Sequence, residues 1–151
     1  MRPARTLVVS IAALFVCAGP ALAQDTPAGT WKTIDDASGK ARAMVRITES
    51  NGALSGKIEK LFHEPGEEQN PRCTACSDAR RDQPIVGMTI LSGLKHESNS
   101  MVWSGGEILD PDNGKIYKSK AILTDGGRKL DVRGYIGVPI LGRTQTWIRE
   151  P

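Results

Sequence analysis

Arg42-Ala43-Met44-Val45-Arg46-Ile47-Thr48-Glu49-Ser50-Asn51-Gly52-Ala53-Leu54-Ser55-Gly56-Lys57-Ile58-Glu59 carries the plainest structural signal in the chain. Ala43, Val45 and Ile47 alternate with Arg42, Met44, Arg46 and Thr48, a period of two that stands one set on each face of an extended strand. Asn51-Gly52 then supplies residues that accept positive φ, as a two-residue hairpin turn requires. Leu54, Gly56 and Ile58 resume the buried face, with Ser55, Lys57 and Glu59 outside. The stretch reads as an antiparallel hairpin with one face toward a core.

The same grammar extends in both directions. Upstream, a strand is expected at Gly29 to Ile34, with a turn from Asp35 to Gly39. Downstream the alternation stops from His63 to Pro84, a polar stretch with Glu67-Glu68, Cys73 and Cys76. It exceeds the ~12 to 15 residues that compact domains usually leave unstructured, so it reads as a functional or stapled loop. Strand character returns at Val86 to Leu94, breaks at His96 to Ser100 and resumes at Met101 to Leu109. Asp110-Pro111-Asp112-Asn113-Gly114 is a turn, followed by strands at Lys115 to Leu123 and, after Asp125-Gly126-Gly127, at Lys129 to Ile136. Gly137 to Leu141 leads into a last strand, Gly142 to Arg149. About eight strands joined mostly by short hairpins predict an all-β, antiparallel up-and-down barrel. A sandwich is the alternative, and the long loop is the one connection able to make a Greek-key crossing.

The N-terminus belongs to a different category. Arg2 and Arg5 precede an apolar run from Leu7 to Ala18, and Ala21-Leu22-Ala23 precedes Gln24, the layout of a cleavable secretory signal. Residues 1–23 are therefore expected to be removed, leaving 24–151 as a single domain with its loop at 63–84. Val16 precedes Cys17 where a lipoprotein signal has Gly, Ala or Ser, which argues against lipidation. The apolar run is shorter than the roughly 20 residues of a spanning helix, and no transmembrane segment is expected. The mature part carries 18 Lys and Arg against 17 Asp and Glu, a net charge of +1. That balance, with no basic run interleaved with aromatics, points away from nucleic acid. The expected destination is the periplasm, the medium being the other compartment such a signal serves.

In a closed meander the first and last strands are neighbours, so Arg149 or Arg143 is placed to lie on the indole of Trp31, with Trp147 close by. This cluster reads as a structural seal. Gly29-Thr30-Trp31 on a first strand and an arginine on the last look like the calycin superfamily of lipocalins and fatty-acid-binding proteins. More specifically, the mature chain resembles the bacterial domain of unknown function family 2147. The matching stretches are Gly29-Thr30-Trp31, Cys73-Thr74-Ala75-Cys76, Pro84-Ile85-Val86-Gly87-Met88, the run from Trp103 to Tyr117, Arg133-Gly134-Tyr135, and Gly142-Arg143-Thr144-Gln145-Thr146-Trp147. The resemblance implies export and a lipocalin-like barrel, and brings no established activity.

Arg133 and Tyr135 alternate on one late strand, Arg143, Gln145, Trp147 and Arg149 on the next, and Trp103 lies on an earlier one. If those faces turn inward, the barrel holds an aromatic pocket with guanidinium groups, suited to a small amphipathic or anionic ligand. If they turn outward, Leu130, Val132 and Ile136 fill the core and the arginines are solvated. Arg133, Tyr135, Arg143, Gln145 and Trp103 are the candidate contacts. Cys73 and Cys76 have three chemistries open to them: a redox pair, half of a zinc site with His63, Asp78, His96 or Glu67, or a local disulfide, the common fate after export. Asp110 to Gly114 faintly resembles a calcium loop, but Lys120 stands where the bidentate acid belongs. No nucleophile, base and orienting group form a catalytic pattern, so no enzyme, metal or cofactor is expected. The leading expectation is a binding protein. The rival is an envelope interaction or stress protein with a solid barrel, contacting an unidentified protein partner through loop 63–84.

Overall fold

Eight strands follow one another around a closed barrel: β1 (Gly29–Ile34), β2 (Ala41–Ser50), β3 (Ala53–Leu61), β4 (Thr89–His96), β5 (Val102–Asp110), β6 (Lys115–Thr124), β7 (Lys129–Tyr135) and β8 (Arg143–Arg149). Each pairs antiparallel with its successor, and β8 closes onto β1 through Trp31 opposite Arg149 and Thr33 opposite Trp147. Closure leaves no free sheet edge. The computed structural model describes residues 25–151; the expected signal at 1–23, with Cys17, lies outside them. Among the described residues no helix is long and apolar enough to cross a membrane.

The hairpin read first from the sequence forms as expected. Ala43, Val45, Ile47, Leu54 and Ile58 are buried, and Asn51 and Gly52 take φ of 51° and 73° in the turn. The alternation places these side chains with Trp31, Leu91, Leu94, Leu130 and Trp147 in one continuous core.

One strand begins later than its sequence suggests. Val86 is no part of β4, because the chain arrives there as a tight loop: Gly87 N–H donates to Ile58 O at 2.7 Å and Ile58 N–H to Met88 O at 3.0 Å. Gly87 sits at φ 91°, which turns the chain before it can enter the ladder.

The two ends of the barrel differ. At one, the β2–β3, β4–β5 and β6–β7 connections are short, and the segment before β1 folds across. Arg149 grips that segment, donating from Nη2 to Thr26 O (2.6 Å) and from Nη1 to Ala28 O (2.8 Å), and ties it to the β6–β7 connection by donating from Nε to Gly127 O (2.6 Å). Its guanidinium lies 4.2 Å from the Trp31 ring, whose Nε1 donates to the carbonyl of buried Pro27. Gly29 is needed here, since at φ 136° a Cβ would stand 2.7 Å from Arg149 Nη1. Burial lowers the Arg149 pKa below its ordinary value without threatening its charge.

At the other end lie the β1–β2 turn, the β3–β4 loop, the β5–β6 turn and the β7–β8 loop. The β3–β4 loop is packed down. Cys73 and Cys76 are joined in a disulfide and are fully buried, and Ile85 and Met88 belong to the core. Its backbone folds back through Cys73 N–H to Gln83 O, Asp82 N–H to Cys73 O and Ile85 N–H to Pro71 O. Gly114 of the β5–β6 turn fits beneath it so closely that a Cβ would collide with the Ala75 carbonyl.

Candidate functional site

Pairing register sets what the barrel interior contains. Leu130 faces Trp147, Val132 faces Gln145 and Gly134 faces Arg143 across β7 and β8, and directly paired residues share a sheet face. Leu130 and Val132 are buried, so Trp147, Gln145 and Arg143 point to the same interior. Arg133 is opposite Thr144 and lies on the outer face, where it donates to Thr144 Oγ1 (2.7 Å), Pro139 O (2.5 Å) and Ile140 O (3.2 Å). The two late arginines therefore serve different sides of the wall. β7 turns its aliphatic face inward while β8 turns its polar and indole face inward, a mixture of the two arrangements expected from alternation.

A cavity of about 660 Å³ opens at the loop end. Its deeper wall is apolar, formed by Ile58, Ile90, Leu109, Val132 and the buried indole of Trp147. Its upper wall and rim are mixed: Gln145, Arg143, Tyr117, Tyr135 and Arg42 are polar, while Ile136 and Leu141 of the β7–β8 loop are apolar. Of the expected contacts, Arg143, Tyr135 and Gln145 line this space; Arg133 and Trp103 do not. Trp103 packs against His96, ring centroids 4.8 Å apart, beside the short β4–β5 connection. Trp147 lies in the cavity wall in addition to belonging to the core, and its Nε1 donates to Gln145 Oε1 at 3.3 Å.

Ion pairs tie the rim together. Arg143 grips Asp36 of the β1–β2 turn with both Nε (2.6 Å) and Nη2, which holds the Asp36 carboxyl below its ordinary value and raises the Arg143 pKa. Arg42 reaches Asp112 at 3.6 Å and Glu67 at 4.0 Å, and Lys40 meets Glu64 at 3.1 Å. These are exposed pairs, each worth little to stability. Together they fix the positions of four rim segments around an opening. Arg42 and Asp36 escaped sequence reasoning: Arg42 is on the outer set of the alternation and reaches the mouth from the start of β2, while Asp36 sits in a turn with no pattern. Among the described residues no three His, Cys, Asp or Glu side chains cluster as metal ligands, and the two cysteine sulfurs are used by each other.

Residues 29–149 match a family described as an uncharacterized protein conserved in bacteria, DUF2147. No curated protein matches the chain. Among solved structures, the chain is similar to a protein of the human pathogen Helicobacter pylori described as belonging to the lipocalin family, with 21% identity over 82% of each chain and a TM-score of 0.69. At that identity the likeness is one of fold.

Proposed function

We propose, on the premise that this chain belongs to the DUF2147 family of bacterial proteins and folds as a lipocalin-like barrel, that it is an exported binding protein holding a small amphipathic or anionic ligand in its cavity. The observation that carries this reading is the cavity of about 660 Å³, apolar within and bearing several polar and charged groups at its mouth. Ligand sites are commonly of this size and build, concave and mostly apolar with a few placed polar groups. An apolar tail against Ile58, Ile90 and Trp147 leaves a head group beside Gln145, Tyr135 and Arg143. Each buried methylene contributes ~0.8 kcal/mol, about fourfold in affinity, so chain length is the first variable the site should read. The layout of residues 1–23 and the Cys73–Cys76 disulfide support export to an oxidising compartment, the periplasm by preference.

The rival reading, a partner-docking β3–β4 loop on a solid barrel, has less in its favour. That loop directs its disulfide, Ile85 and Met88 into the barrel rather than outward. Native mass spectrometry of the mature protein, with fluorescence titration against fatty acids and lysophospholipids of graded length, tests the proposal. Trp147 is the indole in the cavity wall, so Trp147→Phe should remove most of the ligand-induced signal. Absence of any bound species together with no saturable response overturns it.

A further inference from the structure

The β7–β8 loop bears the most apolar exposed surface of the described chain. Ile136 is 67% exposed, Val138 52%, Ile140 82% and Leu141 78%, and no charged residue lies between Tyr135 and Arg143. Ile116, 43% exposed, falls beside the start of this loop when the register of Lys118 opposite Tyr135 is continued. Such a cluster marks an interaction surface. Three of the loop's carbonyls are satisfied within the fold. Val138 O accepts from Leu141 N–H, Pro139 O from Gly142 N–H and Arg133 Nε, and Ile140 O from Arg133 Nη2; Pro139 has no N–H to satisfy. Directly below, the outer wall carries Lys118 and Lys120, with Lys120 paired across the strands to Arg133. Among the described residues neither lysine forms an ion pair, although Glu107 faces Lys118 on β5. Of the acids at the mouth, Glu64, Glu67 and Glu68 belong to the β3–β4 loop, Asp110 and Asp112 to the end of β5 and its turn into β6, and Asp35 and Asp36 to the β1–β2 turn. Lys40 and Arg42 engage Glu64, Glu67 and Asp112, and Arg143 neutralises Asp36, the acid that reaches the end of the β7–β8 loop.

We propose that residues 136–141 dock this protein on an anionic lipid bilayer, the loop's apolar side chains entering the interface while Lys118, Lys120 and Arg133 meet the headgroups. Successive same-face residues along a strand are about 6.8 Å apart, so these cations stand at headgroup level when a loop enters the ~5 to 10 Å typical of interfacial elements. The asymmetric charge tilts the barrel onto its β6–β8 side and keeps the acidic rim away from the surface. Ile136 and Leu141 also line the cavity, whereas Val138, Ile140, Lys118, Lys120 and Arg133 do not, so docking through these five holds whether or not the cavity carries a ligand.

The test is sedimentation of the mature protein with phosphatidylcholine vesicles, with and without about one-third phosphatidylglycerol, at low and high salt. The wild type is expected to sediment with the anionic vesicles and to lose most of that binding in high salt. Val138→Asp/Ile140→Asp alters side chains outside the cavity wall, so its fatty-acid titration and melting curve stay unchanged while vesicle binding falls at least ~10-fold. Lys118→Glu/Lys120→Glu should abolish the preference for phosphatidylglycerol. Equal sedimentation of wild type and Val138→Asp/Ile140→Asp, or no binding to anionic vesicles, overturns the proposal. So does a wild-type dimer in sedimentation velocity that the same double variant dissolves, since the loop's occupant is then a second copy.

Discussion

Replacing Arg149 by Met removes a three-way grip while keeping the aliphatic stem. The wild-type guanidinium donates to Thr26 O, Ala28 O and Gly127 O and lies on Trp31. Hydrogen bonds from a charged donor contribute ~1.5 to 3 kcal/mol each, and the part-exposed setting, where water replaces some of the loss, argues for about 1 each. The cation–π contact adds ~0.5 to 1 kcal/mol. A loss of about 3 to 4 kcal/mol is expected, a large share of the ~5 to 15 kcal/mol that holds a domain folded. For a domain of this size that is roughly a 10 to 15 °C fall in Tm, measured by far-UV circular dichroism. Arg149→Lys keeps the charge on the indole but lacks the fork, so its loss should be intermediate. The combined Arg149→Met/Trp31→Leu variant should show a coupling of ~0.5 to 2 kcal/mol in a double-mutant cycle. A fall in Tm below ~3 °C for Arg149→Met, or a Lys variant equal to wild type, refutes the clamp.

Further outcomes follow from other parts of the fold. Ser119 is fully buried and its hydroxyl has no partner among the described residues, so Ser119→Ala should raise stability by up to ~1 kcal/mol in urea unfolding. A destabilised variant would mean the hydroxyl is satisfied. Deleting residues 66–82 strips the buried disulfide from the barrel mouth and uncovers Ile85 and Met88; it should bind a hydrophobic dye and melt well below wild type, and a deletion as stable as the parent would revive the docking-loop reading. The Cys73→Ala/Cys76→Ala variant should lose less than the ~3 kcal/mol expected for a fifteen-residue loop, since its ring is shorter. Asp36 is held below the ordinary carboxylate value by Arg143, and Asp78 is brought to about 2 by its hydrogen bonds from Arg80. A depressed folded pKa stabilises above the unfolded value and is lost as pH falls through the folded one, so these groups make stability decline only below about pH 4. Calorimetric Tm values that drop appreciably between pH 7 and 5 would contradict that assignment.

The strands were legible because their signal is local. A period of two, read over a few residues, separates inside from outside within one strand, and Asn51-Gly52 or Asp110 to Gly114 announce reversals through their own backbone preferences. Eight such segments with short connections leave few topologies other than a meander, and Trp31 meeting Arg149 follows from closing it. Val86 was misplaced because its apolar side chain gives no sign that Gly87 and the Ile58 backbone hold that segment as a loop.

The amino-acid order alone determined the succession of β-strands and their reversals, each of which depends on neighbours in the chain; closure into a barrel rather than a sandwich, and a disulfide rather than zinc at Cys73 and Cys76, were decided by the tertiary structure. Only the tertiary structure decided that Arg143 and Gln145 line a cavity while Arg133 braces a loop outside it. Both strands alternate, and nothing within either strand says which face is wet. The pairing of Gly134 with Arg143 across the β7–β8 loop says so, and a slip of one residue in that pairing would exchange every inward side chain of β8 for its outward neighbour.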